Sequence, residues 1–352
     1  MPLTKAARPV FHRLPTMPTW TLARHELPLR YTWKISRNAS TAKTNLVVHV
    51  HHPDGTTGRG EAAPNVRYGE APDALAAEFG TLLEAGLEKV TTEAELHEFL
   101  TAHAPAHALR FAVESAWVHA EAARAGQPVW QWLDAPAPAA TVPTAFSLPI
   151  MEPGAVAEFV HAQGMSRFEL LKIKVNQESG YDLLRELTRA LPSRPLIIDG
   201  NEAWRDPDAL LQFVEQAAAL PGLRVRLLEQ PLPAAHAADY RYLRPRTPWP
   251  VFADESVTNA ADFADIAQQF HGVNMKLMKA GGYRNGLRIL RETRAHGLDT
   301  MLGCMVETSL GIWSALQVSG LAAVCDLDGF LILQDEPFGL VQEAAGRLRM
   351  AE

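Results

Sequence analysis

Hydrophobic and polar positions change rhythm once along the chain. Near the start, Leu46-Val47-Val48-His49-Val50-His51-His52 is a β-branched run, Asp54-Gly55 reads as a turn, and residues 56–61 read as the returning strand. From residue 72 to 126 apolar positions recur every three and four, as at Leu109, Ala112, Ala116 and Val118, which predicts helices. Residues 135–140, all Pro and Ala, read as a linker. Beyond it, short apolar runs alternate with amphipathic stretches. The runs are 145–150, 168–175, 196–198, 223–228, 250–253, 273–277, 299–305 and 323–327. The stretches between them carry helix signals: Asp206-Pro207 is an N-cap with proline in the first turn, and Gly297 closes residues 284–296. Eight strand-like runs alternating with helices indicate parallel βαβ units. A closed barrel and an open doubly wound sheet both fit. The lack of a glycine-rich dinucleotide fingerprint after any run favours the barrel.

The residues that end these runs are charged. Lys172 and Lys174 lie in the second, Asp199 ends the third, Glu229 the fourth and Asp254 the fifth. Lys276 lies in the sixth, and Asp326 and Asp328 belong to the eighth. The spacings, 199 − 174 = 25, 229 − 199 = 30, 254 − 229 = 25 and 276 − 254 = 22, are each one βα unit. In a barrel such strand ends converge on one mouth, where active sites sit. Three carboxylates brought together there repel one another unless a cation joins them. Three oxygen ligands with room for water and substrate oxygens suit Mg²⁺, whereas zinc prefers His or Cys. The lysines flank the carboxylate arc on opposite sides, so an α-carbon whose carboxylate reaches the metal falls between them. A lysine acts as a base only if its pKa drops well below about 10.4, as nearby positive charge arranges. Lys172 and Lys174 alternate around Ile173 and so point to the same side of their strand.

Composition narrows the classes. The 352 residues fit about two domains. Lys plus Arg is 33 and Asp plus Glu is 40, a net charge of −7, which argues against a general nucleic-acid binder. Two cysteines exclude a disulfide framework and a Cys-rich zinc module; Cys304 and Cys325 read as reduced core thiols of a cytoplasmic protein. No apolar run is long enough for a membrane span. The first residues carry charge and prolines without an apolar core, unlike a signal peptide, so residues 1–17 are expected to form an extension. His49, His51 and His52 lack a further ligand and read as an exposed strand face rather than a metal site.

Lys172-Ile173-Lys174, Asp199-Gly200-Asn201, Glu229-Gln230-Pro231, Ala253-Asp254-Glu255-Ser256 and Asn274-Met275-Lys276 occur in that order, and the pattern resembles the enolase superfamily in its muconate-lactonizing branch. The run from Lys276 to Gly282 and Cys325-Asp326-Leu327-Asp328-Gly329 look like those of the dipeptide epimerases in it, of the Ala-Glu epimerase kind. The resemblance spans residues 18–345. It implies a (β/α)7β TIM-like barrel over 142–335 with an N-terminal α+β capping domain over 18–134, to which 336–352 returns. A lysine base with a Mg²⁺-stabilised ene-diolate is a known property of that superfamily rather than a deduction from these residues. By resemblance, Asp199, Glu229 and Asp254 hold one Mg²⁺ per subunit, and the dipeptide's carboxylate chelates it. Lys174 and Lys276 act on opposite faces of the C-terminal residue's α-carbon, Lys172 stabilises the enolate oxygens, and Asp326 and Asp328 bind the α-ammonium. Ser147 stands where relatives use a substrate-contacting Thr, and Cys304 at the end of strand seven. Arg37, in the loop 35–38, aligns with an arginine that meets an acidic substrate side chain, and residues 65–68 form the second lid loop. Gly200 replaces a more familiar Ala without consequence, while Ser147 and Cys304 alter the walls and leave the dipeptide's side chains open, Ala-Glu-like or hydrophobic. The alternative on the same scaffold is a muconate cycloisomerase or o-succinylbenzoate synthase, whose substrates carry no amine. A glycoside hydrolase, which requires neither flanking lysines nor a metal, and a non-catalytic binding protein are the more distant readings. A homo-oligomer is left open.

Overall fold

The computed structural model describes residues 17–351, so the extension expected over 1–17 lies, but for Met17, outside the described residues. Strands β1 (Thr19–Lys34), β2 (Ala39–His51) and β3 (Thr57–Ala62) form an antiparallel meander. Helices α1 (Pro72–Glu84), α2 (Glu93–His103), α3 (His107–Arg124) and the short α4 (Val129–Trp132) follow. Thr92 and Glu95 form a reciprocal capping box that starts α2. Gly58 and Gly60 explain how close α3 comes to β3: a Cβ on either would run into the carbonyls of Ala116 or Ala112. With that face bare, α3 buries most of its length, and Trp117 stacks on Trp20 of β1 at 6.1 Å.

After the two-residue β4 (Val142–Pro143), eight parallel strands run in register order: β5 (Ala145–Leu148), β6 (Leu170–Lys174), β7 (Pro195–Asp199), β8 (Arg224–Glu229), β9 (Val251–Ala253), β10 (Gly272–Met275), β11 (Asp299–Gly303) and β12 (Val324–Asp326). Between them lie α5 (Val156–Ala162), α6 (Gly180–Ala190), α7 (Pro207–Ala218), α8 (Ala237–Leu243), α9 (Phe263–Gln269), α10 (Leu277–Ala280) with α11 (Tyr283–Ala295), and α12 (Ser309–Leu316). This is the expected (β/α)7β barrel with a capping domain. Asp206 caps α7 ahead of Pro207, and Gly297 follows α11 with φ +71°, as their sequence signals predict. The strands are nearly continuous apolar runs because both faces are covered. Edge strands β12 and β5 meet through side chains: Thr144 Oγ1 accepts from Leu327 N at 2.8 Å, and Asp328 Oδ2 from Ser147 N at 2.6 Å.

The capping sheet is stitched to the segment after β12. Arg30 N donates to Ile332 O at 2.9 Å, Gln334 N to Pro28 O at 2.8 Å, and Leu29 bridges Leu333. The tail departs from expectation. Of the tail expected over 336–352, the described residues 336–351 do not all join the capping sheet: Phe338 packs on His25 and under Arg59, but β13 (Val341–Ala344) and β14 (Arg347–Met350) form a sheet with β4. The cause is apolar pairing, since Leu348 sits opposite Val142 and both are buried.

Candidate active site

Each charged run end emerges at the same end of the barrel, under the capping domain. Lys172 and Lys174 come from β6, and Asp199 and Glu229 end β7 and β8 at paired positions. Asp254 follows β9 and Lys276 follows β10. A single cleft is lined by Lys172, Lys174, Asp254, Lys276, Asp326, Asp328, Ser147 and Cys304 from the barrel, and by Arg37, Lys43 and Arg67 from the cap. Asp199 and Glu229 are fully buried and join the cleft through Lys172. Asp328, expected on the strand, lies two residues past the end of β12. Of the histidine run, His49 and His51 lie on β2 with rings stacked at 6.2 Å, half-buried and exposed, whereas His52 follows the strand and is buried against Trp117 rather than on an exposed face.

The lysines are gripped by the carboxylates. Lys172 Nζ lies 2.9 Å from Asp199 Oδ2, 2.8 Å from Glu229 Oε2 and 2.8 Å from Asp326 Oδ2. Lys174 Nζ donates to Asp199 Oδ2 at 2.6 Å and Lys276 Nζ to Asp254 Oδ2 at 2.9 Å. Burial raises carboxylate pKa values, but Lys172 and Lys174 overrule it at Asp199, and Lys276 and Lys279 at Asp254, so both acids stay below the usual range. Glu229 is pushed up to about 7, by burial first and then by Asp199. Asp328 is pushed to about 7 by burial and by Asp326. Burial alone lowers Lys276, yet Asp254 and its acidic neighbours hold it above its ordinary value.

Among the described residues no three carboxylate, imidazole or thiolate groups surround a common centre as they stand, because the Lys172 ammonium lies between Asp199 and Glu229. The donor set nevertheless fits a hard cation. Three carboxylates stand on three neighbouring strands, and Glu229 Oε2, though close to Lys172, makes no hydrogen bond. A divalent ion there would also relieve the charge that pins the lysines.

Supporting residues hold this arc, and several escaped the sequence reading. Asn274 Nδ2 donates to Glu229 Oε1 at 2.8 Å. Gln230, in the left-handed region at φ +33°, accepts from Asp254 N at 2.7 Å and from Ser256 N at 3.1 Å. Lys279 grips Asp254 Oδ1 at 2.9 Å. Gln230 and Lys279 sit inside recognisable motifs, but their partners lie one βα unit away in sequence.

The lid is closed on internal acids. Arg37 donates to Glu255 Oε1 at 2.7 Å, Glu202 Oε2 at 3.0 Å and Asn201 O at 2.8 Å. Arg67 reaches both oxygens of Glu202, at 2.8 and 3.0 Å. Arg37 thus carries two carboxylates of its own chain, whereas Lys43 makes no ion pair among the described residues. Cys304 lines the cleft, and burial pushes its thiol well up, with Glu307 and Asp328 adding to it. Both cysteines are free. Among the described residues no helix is long and apolar enough to cross a membrane.

The chain is similar to known proteins over most of its length. The family described as Enolase C-terminal domain-like matches residues 154–338. An L-Ala-D/L-amino acid epimerase of Pedosphaera parvula (strain Ellin514) is 32% identical over 308 residues, 87% of each chain. The L-Ala-D/L-Glu epimerase of Escherichia coli (strain K12) is 32% identical over 326 residues, 92% of this chain and 97% of that one. A substrate-liganded complex of the L-Ala-D/L-Glu epimerase from Bacillus subtilis superposes with a TM-score of 0.85 at 25% identity, covering 96% of this chain and 97% of the other.

Proposed function

This chain is a member of the enolase superfamily, and from that premise we propose that it is a dipeptide epimerase acting at the α-carbon of the C-terminal residue. The observation that carries the reading is one cleft holding lysines on opposite sides of an acidic arc and a pair of aspartates beyond it. Asp326 and Asp328 suit the dipeptide's α-ammonium, which gives Asp328 reason to ionise on binding. That contact and the acidic arc set the α-carbon between Lys174 and Lys276. Asp199, Glu229 and Asp254 would hold Mg²⁺, which draws charge off the substrate carboxylate and so acidifies the α-C–H. One lysine Nζ takes the α-proton and the other delivers one to the opposite face. The Lys172 ammonium offsets the negative charge that develops on the carboxylate oxygens as the proton leaves. The lid loops, latched on Glu202 and Glu255, exclude water. Two free cysteines suit a reducing compartment, so we place the enzyme in the cytoplasm.

The test is deuterium incorporation from D₂O at the C-terminal α-carbon across a dipeptide library, with Mg²⁺ and with a chelator. Exchange that depends on Mg²⁺ is expected for at least one dipeptide. Exchange with none, or turnover of a muconate or succinylbenzoate-type acid that Asp326→Asn leaves unchanged, overturns the reading.

A further inference from the structure

Lys276 and Lys279 stand one helical turn apart at the start of α10 and hold the two oxygens of one carboxylate. Their situations differ. The Lys276 ammonium faces the cleft and donates to Asp254 Oδ2. The Lys279 ammonium, 1% exposed, spends its three protons on Asp254 Oδ1 at 2.9 Å, Asn274 O at 3.0 Å and Asp254 O. It is saturated and has none to exchange with a substrate. It also spans a weak place in the barrel, because β9 and β10 pair through only two residue pairs, Gly272 with Phe252 and Val273 with Ala253.

We propose that Lys279 is a positioning residue for one face of the reaction: by fixing Asp254 it sets where the Lys276 ammonium stands, while Lys174, held by Asp199 across the cleft, is independent of it. This rests on the epimerase reading above. With Asp254 N on Gln230 and Asp254 O and Oδ1 on Lys279, the carboxylate can turn only its Oδ2 toward the cleft and Lys276. Without Lys279 the carboxylate is free to rotate, and Lys276 moves with it.

The readout is α-hydrogen exchange into D₂O at saturating Mg²⁺, started separately from each C-terminal epimer of a dipeptide that the wild type turns over. Lys174→Ala and Lys276→Ala identify which epimer depends on which lysine. In Lys279→Met and Lys279→Gln, exchange from the epimer that depends on Lys276 is expected to fall on the order of 10²-fold, the size of effect that an ångström of misplacement produces. Exchange from the other epimer should stay close to wild type. Calorimetric Mg²⁺ binding, without substrate, should weaken about 10–100-fold, as when a residue holding a metal ligand is lost. Equal losses from both epimers, or no change in either readout, overturn the proposal. If both variants fail to fold by circular dichroism, Lys279 is a fold residue and the proposal is likewise overturned. A wild type that exchanges neither epimer of any dipeptide instead defeats the functional reading itself.

Discussion

Glu229 and Glu61 are both wholly buried, each 0% exposed, and their partners could hardly differ more. Glu61, at the seam of cap and barrel, accepts from Asn45 Nδ2 at 2.7 Å, from Thr308 N at 2.9 Å and Oγ1 at 2.6 Å, and from Gly311 N at 2.9 Å. It closes the first turn of α12 from another domain using neutral donors alone. Glu229 has one neutral donor, Asn274, and leaves Oε2 without a hydrogen bond beside the Lys172 ammonium. A buried carboxylate with every lone pair answered is architecture. One that is under-answered and faced by ammonium groups marks a place that a ligand completes.

The contrast can be broken at four depths. Lys174→Ala and Lys276→Ala should each lower epimerisation by about 10²–10⁴-fold, the usual worth of a positioned acid or base, with unfolding curves little changed. Steady-state turnover and urea titration check both halves. Glu61→Gln should do the reverse. It leaves backbone donors of α12 unanswered, costs about 1–3 kcal/mol in chemical denaturation, and keeps turnover per folded molecule. Beside it, burial and Glu61 itself push Glu307 up to about 8 from 4.5. Below pH 4.5 folded and unfolded chains both hold that proton, and between 4.5 and about 8 the folded chain alone does. The stability it contributes is therefore full at acid pH and declines as pH rises toward 8, by up to about 1.4 kcal/mol per pH unit. Glu307→Gln should flatten unfolding free energy against pH over that window. The smallest effect belongs to the lid. Glu202→Gln releases a latch shared by Arg37 and Arg67, partly exposed pairs worth about 1 kcal/mol or less, so KM should rise by about fivefold at most with kcat retained.

The same contrast separates what could be read from the chain alone. The barrel was legible because its strands are buried on both faces and end in charges one βα unit apart, so Lys174, Asp199, Glu229, Asp254 and Lys276 announce their convergence. Asp328 is less legible, because its two-residue alternation with Asp326 looks like strand, whereas it lies beyond β12 and closes the barrel against Ser147. Glu61 was invisible, since its partners Thr308 and Gly311 are some 250 positions away and only the fold brings them together. The tail's sheet is illegible for a similar reason: the pairing of Leu348 with Val142 is non-local and leaves no periodic signal in a four-residue strand.

The stitching of β1 to residues 332–334 has a consequence for how the protein is made. Pro28, Leu29 and Arg30 leave a ribosome before any strand of the barrel, and Ile332, Leu333 and Gln334 only after β12. The roof over the cleft is therefore seamed shut only after all eight barrel strands have been made. Until then the early sheet must wait with the buried side chains Leu27 and Leu29 lacking their late partners. The covered cleft is thus completed in a single event that follows the barrel, and a chain truncated before residue 332 would carry every charged barrel residue of the cleft yet lack the seam that holds the cap over them.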